Sequence, residues 1–454
     1  MESSRPKAPI NLMRGWPAVS ALPTDLLTKA SAAILSDPSI STPALEYGPD
    51  AGYLPLRKAM SRWLSRHFNV EEDVDRICIT GGASQSIANI LISYADPLVT
   101  KGFWVVAPCY HLVCPIFEDA GFARRLRGIR EDEHGIDPVE LEAEIQRLER
   151  SERNAPDQLP SKDVPGRKLY RHIIYVVSTS SNPSGKTLPL ERRTALVKLA
   201  RKYDALLISD DVYDFLQWPL SRSSPLDWTS EMRLPRLADI DRELGVEGFG
   251  NAVSNGSFSK IAAPGLRTGW IEASPAFATG MSMQGSTKSG GAPSQFSAAV
   301  LSVMVQDGSL ERHVDEVIRP QLRDRHLSLI AAIKESIPQA RINASSHAGA
   351  KVFGGFFVWF TVDIGLSTQL VAQAALEEEN LVIGSGGIFA VHGDKSGPQF
   401  DDKIRLCFAW EPVDCLIEGV KRLANLLDRM ERNKELYQKT YTQSMGQDWV
   451  TANK

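Results

Sequence analysis

Ser257-Phe-Ser-Lys260-Ile-Ala-Ala-Pro-Gly-Leu-Arg267-Thr-Gly-Trp270 sets one lysine among small, hydroxyl-bearing neighbours, follows it with a Pro264-Gly265 turn and then brings in an arginine. An amine flanked by apolar residues loses hydration, which disfavours its protonated form and lowers its pKa. Such an amine can attack an aldehyde and afterwards carry a proton. The hydroxyls of Ser257 and Ser259, with the Arg267 guanidinium, offer donors suited to a phosphate. The plain alternative is a surface lysine in a Gly/Ser loop.

Outward from this stretch, short apolar runs alternate with longer amphipathic ones from Arg76 to Glu272. The runs at 77–80, 103–107, 172–178, 205–209 and 268–272 read as buried strands, bounded by Gly, Pro, Ser or Asp. The stretches 84–94 and 191–203 read as helices. Alternation of this kind predicts an α/β layer with a mostly parallel sheet, in which function gathers at the carboxyl ends of strands. After about Leu310 the pattern changes to a helical region over 310–336, strands over 350–363 and 403–410, and a helix over 412–436. The expected organisation is a large domain over 46–309 and a smaller α+β domain formed by 1–45 and 310–454. The N-terminal segment is attached to the smaller domain or lies across the site. Residues 151–168 hold three prolines and read as a surface loop, and 221–236 as a second irregular stretch.

Three further motifs fall at predicted strand ends. Ile79-Thr-Gly-Gly-Ala83-Ser84-Gln85 is a strand, a glycine turn and a helix start, where backbone N–H groups make an anion site. Ser178-Thr-Ser-Ser-Asn182-Pro183-Ser184-Gly185-Lys186-Thr187 contains a GKT, but a P-loop needs glycine where Ser180 stands. Its Asn182-Pro183 step places a polar side chain on extended backbone. Leu206-Leu-Ile-Ser-Asp210-Asp211-Val-Tyr213 ends a buried run on a carboxylate, which is costly there without a partner. A protonated ring nitrogen is one such partner, and a helix N-cap is the bland alternative.

Taken in order, GAS, NPSG, DDVY, SFSK and the following arginine resemble the class I/II, fold type I pyridoxal-phosphate aminotransferases. The likeness also takes in Tyr47-Gly-Pro-Asp-Ala-Gly52-Tyr-Leu-Pro-Leu-Arg57 and Ile404-Arg405-Leu-Cys-Phe-Ala409. It spans about Ile10 to Leu427 and is nearest to the 2-aminoadipate and aromatic aminotransferase branch. The resemblance implies an α/β fold in which Lys260 is the Schiff-base lysine and proton carrier. It makes Asp210 the partner of the pyridine nitrogen. Asn182 and Tyr213 match the groups that hydrogen-bond the ring oxygen, and Tyr110 the aromatic that stacks on the ring. Ala83, Ser84, Ser257 and Arg267 match the phosphate pocket, and Tyr47 the tyrosine that reaches the phosphate of a neighbouring subunit. A homodimer follows from that likeness. Arg405 matches the clamp on the substrate α-carboxylate, and Gly15 the glycine that closes over it. Two departures stand out: Ser184 replaces a common threonine, and Gly384-Ser-Gly-Gly387 replaces a Pro-Gly loop.

Bulk features fit these expectations. The chain has 454 residues, 43% hydrophobic and 23% charged, with a net charge of −4. That charge and the lack of a basic tract weigh against nucleic acid and anionic membrane as partners. The five cysteines lack CxxC spacing and the eight histidines lack HExxH spacing, so no protein metal site is expected. No signal peptide or apolar run of membrane-spanning length is read, which points to the cytoplasm. The expected partners are an amino acid and a 2-oxo acid, with 2-oxoglutarate the acceptor implied by the resemblance. Arg14, directly before Gly15, is a candidate for a distal substrate carboxylate, favouring 2-aminoadipate or glutamate. A surface arginine near the entrance fits its position as well. Trp16, Tyr53 and Phe389 are alternative linings for an aromatic side chain. Elimination chemistry, such as a C–S lyase, is the competing activity on the same cofactor. A DNA-binding regulator is disfavoured because the resemblance begins near Ile10, leaving no room for a helix-turn-helix.

Overall fold

The computed structural model describes residues 7–153, 158–290, 293–344, 346 and 351–442. At its centre is an eight-stranded sheet. Its strands in chain order are β1 (Ile77–Thr80), β2 (Gly102–Ala107), β3 (Leu126–Asp132), β4 (Gly135–Ile136), β5 (His172–Val176), β6 (Ala205–Asp210), β7 (Ala252–Ser257) and β8 (Gly269–Glu272). Across the sheet the order is β1-β8-β7-β6-β5-β2-β3-β4. The five strands from β7 to β3 pair in parallel, whereas β8 is antiparallel to both neighbours and β4 turns back on β3. All five runs read as strands are present.

Three strands escaped the sequence pattern, each for a physical reason; β4, at two residues, is too short to show a period. β7 reads Ala-Val-Ser-Asn-Gly-Ser, the composition of a loop, yet every residue of it is buried. Two of its polar groups are answered inside the protein: Ser254 donates to Asp211, and Asn255 Nδ2 donates to the Ala83 carbonyl at 3.2 Å. Buried polar groups are tolerable when bonded in this way. β3 lies near the sheet edge and buries only Leu126 and Ile129 fully, so its apolar signal is sparse.

Successive residues of a strand face opposite sides of a sheet, and here both sides are covered. On one face Phe103, Val105, Ile173, Tyr175, Leu206 and Ile208 join the larger core. On the other, Trp104, Val106, Ile174, Val176 and Leu207 join a second cluster. Complete burial of each Leu, Ile or Val stabilises by about 1.5–3 kcal/mol. That double burial is why these strands read as unbroken apolar runs.

A second, antiparallel sheet contains β9 (Arg341–Ile342), β10 (Phe357–Thr361), β11 (Gly384–Ser385) and β12 (Lys403–Cys407) in the order β9-β10-β12-β11. The run predicted over 350–363 is broken. Val352–Gly354 pairs with Gln217–Pro219 instead, and Gly355, at φ +76°, turns the chain before β10 begins. Ala350 lies outside the described residues. The C-terminal helix is likewise divided, Val413–Arg432 ending at Asn433 before Lys434–Thr442.

The N-terminal segment is used in two ways. Ile10–Asn11 pairs in parallel with Leu381–Val382, and the Leu12 carbonyl accepts from Cys407 N at 2.6 Å, carrying the following residues past β12. The helices Thr24–Ser36 and Pro38–Leu45 pack instead on Gln295–Gln306. Residues 289–294, a Ser-Gly-Gly-Ala-Pro-Ser stretch consistent with the interface of the expected homodimer, include 291 and 292, which lie outside the described residues. Among the described residues, no helix is long and apolar enough to cross a membrane, and no group of three or more His, Cys, Asp or Glu is placed to hold a metal ion.

A buried ion network ties the sheet to its surroundings. Arg236, 1% exposed, donates from Nε and Nη2 to the Asp239 carboxylate at 2.9 and 2.8 Å. It also lies 2.7 Å from Glu272 on β8. Removing one member leaves buried charge without its partner, which costs about 3–5 kcal/mol. Arg236→Ala is expected to lower the free energy of unfolding by about that amount, read as a lower urea midpoint at unchanged m-value.

Candidate active site

Lys260, Asp210, Asn182, Tyr213 and Arg405, read from separate stretches of sequence, line one cavity of about 450 Å³. Asp210 arrives as the last residue of β6, at a carboxyl end. Tyr175 on the adjacent β5 donates to its Oδ2 at 2.8 Å. Oδ1 is buried and has no hydrogen-bond partner. Burial pushes this carboxyl up to about 7, against the Tyr175 hydrogen bond, which lowers it. Asp211 raises it further, and Lys260 opposes that.

Lys260 sits in the turn after β7. Its Nζ donates to the Gly15 carbonyl at 2.7 Å and lies 5.2 Å from the Phe356 ring centre. Burial holds the amine down at about 8; Cys407 and Asp210 raise it, while Arg405 and Arg267 lower it. The sequence expectation of a desolvated amine thus has a structural cause.

At one end of the cavity, helix Ala83–Tyr94 begins with Ala83 and Ser84, both of which line the space. Ser257, Ser259 and Arg267 line it as well. Ser257 Oγ donates to Ser259 Oγ at 3.0 Å, and Arg267 Nη1 reaches Ser259 Oγ at 3.3 Å. Gly82 makes this approach possible. Its φ is +101°, and a Cβ there would stand 2.6 Å from Arg267 Nη2. A helix start, hydroxyls and a guanidinium together form an anion cradle.

At the other side, Arg405 from β12 is 3% exposed and lies between Phe357 at 4.0 Å and Phe389 at 4.6 Å. It donates to Asn182 Oδ1 at 2.8 Å and to the Met13 carbonyl at 2.6 Å, while its Nε has no partner. Burial lowers the guanidinium to about 10, countered by Cys407, Tyr213 and Tyr110. It remains charged at neutral pH.

The family model described as aminotransferase class I and II matches residues 18–422. This chain belongs to that family. Among the relatives of this aminotransferase, the uncharacterised protein YER152C of Saccharomyces cerevisiae is 31% identical, over 91% of this chain and 95% of its own. The 2-aminoadipate transaminase of Thermus thermophilus is 26% identical, over 91% and 88%. Of the solved structures, Pyrococcus horikoshii kynurenine aminotransferase, in complex with PMP, superposes with a TM-score of 0.74 at 25% identity, covering 93% of this chain and 91% of that one.

An aminotransferase of this family works with pyridoxal phosphate, and the cavity fits that cofactor. A buried carboxylate oxygen without a partner suits a protonated ring nitrogen. The cradle suits a phosphate, and the lone amine among the lining residues suits an aldehyde.

Not every predicted residue of the aminotransferase meets the cavity. Gly15, Arg14 and Tyr110 line it. Tyr47 does not: it is 88% exposed and packs beside Gly290. Of the aromatic candidates, Trp16 lines the space. Tyr53 is buried elsewhere, and Phe389 covers Arg405 without reaching the lining. Sequence reasoning missed Tyr175, His111 and Phe357. Strand alternation offered a hint of Tyr175, but its partner Asp210 lies 35 positions away. Nothing local singled out His111 or Phe357.

Proposed function

We propose that this aminotransferase moves an amino group from an L-amino acid of the 2-aminoadipate, glutamate or aromatic type to a 2-oxo acid, with Lys260 as the covalent anchor of the cofactor. The observation that carries this is the convergence of a half-buried amine, a buried carboxylate and a buried guanidinium on one cavity. When bound, pyridoxal phosphate supplies an electron sink beside the substrate α-carbon.

The other functions fall to the chain's own residues. Asp210 holds a proton on the ring nitrogen, in a site where burial strengthens that charge pair. Asn182 and Tyr213 hold the ring oxygen, and Tyr110 packs on the ring face. The backbone of Ala83 and Ser84, the Ser84 and Ser257 hydroxyls and Arg267 hold the phosphate. Lys260 Nζ takes the proton from the substrate α-carbon and returns it on the product side. Held at about 8, this amine exchanges a proton readily near neutral pH. Arg405 grips the α-carboxylate through its planar fork, a match that a lysine lacks. Met13 O and Asn182 Oδ1 now occupy two of its donors. The Gly15 backbone closes over the same carboxylate; a Cβ there would stand 2.7 Å from Phe357 Cζ.

The exposed Tyr47 reaches the phosphate of a second copy, which makes the working unit a two-fold homodimer. Residues 46–309 form the cofactor-bearing domain and carry the helices Thr24–Ser36 and Pro38–Leu45 on Gln295–Gln306, while the strap before those helices joins the part after 310 in the smaller domain. The enzyme works in the cytoplasm.

The test is a donor and acceptor screen. Purified holoenzyme is supplied with 2-aminoadipate, glutamate, phenylalanine or tyrosine, with and without 2-oxoglutarate. The expected result is a new 2-oxo acid formed together with glutamate, or the reverse, only when both substrates are present. Ammonia and pyruvate released from a cysteine conjugate, with no need for a 2-oxo acid, would instead assign elimination chemistry.

A further inference from the structure

Building on the aminotransfer assigned to this cavity, we infer that Arg14 reads the far end of the donor's side chain. The preferred donors then carry a distal carboxylate, and Trp410 is the positioning residue that aims Arg14. The evidence is how Arg14 is held. Its neighbours on both sides are pinned: the Met13 carbonyl accepts from Arg405 and the Gly15 carbonyl from Lys260, at 2.6 and 2.7 Å. Arg14 therefore projects from the short strap that joins the carboxylate clamp to the amine, and it lines the same cavity.

Its guanidinium is held by faces alone. It lies 4.6 Å from the Trp16 ring centre and 5.2 Å from that of Trp410. These indoles stand at 83° to one another, 5.6 Å apart, and form a corner around the cation. Contact with ring faces steadies a guanidinium but leaves its in-plane N–H fork free. Among the described residues, no carboxylate pairs with Arg14, and no hydrogen bond from its side chain is present. The other two lining arginines, Arg267 and Arg405, both donate to protein oxygens. A cation aimed into a substrate cavity, with its fork unspent and its orientation fixed, matches a planar anion on the substrate.

Trp410 does not line the cavity, so it acts on substrate through the lining residues it touches, Arg14 and Trp16. An uncharged aromatic side chain makes no use of the fork, so its turnover depends far less on Arg14.

The test compares wild-type holoenzyme with Arg14→Gln, Trp410→Leu and Trp410→Phe. The donors are aspartate, glutamate and 2-aminoadipate, their uncharged counterpart glutamine, and phenylalanine. In Arg14→Gln the KM of the best dicarboxylic donor is expected to rise by on the order of 10- to 100-fold, the loss of one charge-assisted pair. Its kcat is expected to move by less than about threefold, because the contact exists in ground and transition states alike. For phenylalanine kcat/KM falls by a much smaller factor, so the ratio of the two donors' kcat/KM values is the discriminating readout. Trp410→Leu raises the same KM by a smaller factor, and Trp410→Phe restores the wild-type value. Glutarate, which carries no amino group, is titrated by calorimetry against butyrate; only glutarate is expected to weaken in Arg14→Gln.

Parallel losses for glutamate, glutamine and phenylalanine would overturn the inference. So would a wild type that does not prefer glutamate to glutamine, or glutarate affinity that ignores Arg14. If the wild type transferred no amino group from any donor, aminotransfer at this cavity would be refuted, and the glutarate titration would still decide the role of Arg14.

Discussion

Lys260→Ala is expected to lower kcat/KM for amino transfer by on the order of 10⁴-fold, the upper range for loss of a positioned proton carrier. Among the described residues no other lysine lines the cavity, so no neighbouring amine is placed to substitute for it. In the wild type, borohydride treatment fixes the cofactor on the peptide containing Lys260; in the variant no peptide carries it. The fold survives, because the substitution removes a buried amine whose protonated form is disfavoured there. In cofactor-free protein, amine-directed reagents should label Lys260 half-maximally near pH 8, where burial holds its pKa. Between about 8 and the ordinary lysine value of 10.5, the folded amine is neutral while the unfolded one is still charged. The unfolded chain then binds more protons, so this group makes stability rise with pH across that window. Lys260→Ala flattens the rise. Unchanged activity, or label retained on another lysine, would remove the covalent role.

Asp210→Asn is expected to lower kcat/KM by on the order of 10²- to 10³-fold, as for removal of a preorganised charge from a dry site. The amide keeps the shape and can still accept from Tyr175. It lacks the negative charge that holds a proton on the ring nitrogen through Oδ1. Cofactor retention after gel filtration falls in the same variant. A second signature appears in the cofactor-free protein. Burial holds the carboxyl at about 7, above the usual 3.8, so the folded state binds the extra proton between those values. This group therefore makes stability fall as pH rises from about 4 to 7, and Asp210→Asn removes that slope. Near-wild-type turnover would show that Asp210 serves packing alone.

The parts of the site that lie in short, continuous stretches were legible in the sequence. Asp210 ends a predicted strand and the Ala83-Ser84 helix start follows one, and strand ends announce themselves through apolar runs closed by Gly, Ser or Asp; Lys260 was legible from its own flanking residues instead. Where burial is achieved by polar bonding, the signal fails. β7 looks like a loop because its Ser and Asn residues find partners in Asp211 and Ala83 that only the folded chain brings near. The break at Gly355 was likewise hidden, since a glycine in an apolar run fits an unbroken strand as well as a turn.

By itself the sequence determined the α/β architecture, through hydrophobic periodicity and local turn chemistry, while the candidate anchoring lysine and the roles of the cofactor motifs followed from the family resemblance of short continuous stretches. Only the tertiary structure decided which distant groups meet. It set Tyr175 against Asp210, bound the strap of Met13 to Gly15 to Arg405 and Lys260, and put Trp410 beside Arg14. Those contacts join residues tens to hundreds of positions apart. Their energies come from desolvation and charge pairing in a closed cavity, and neither exists until the chain has folded around it.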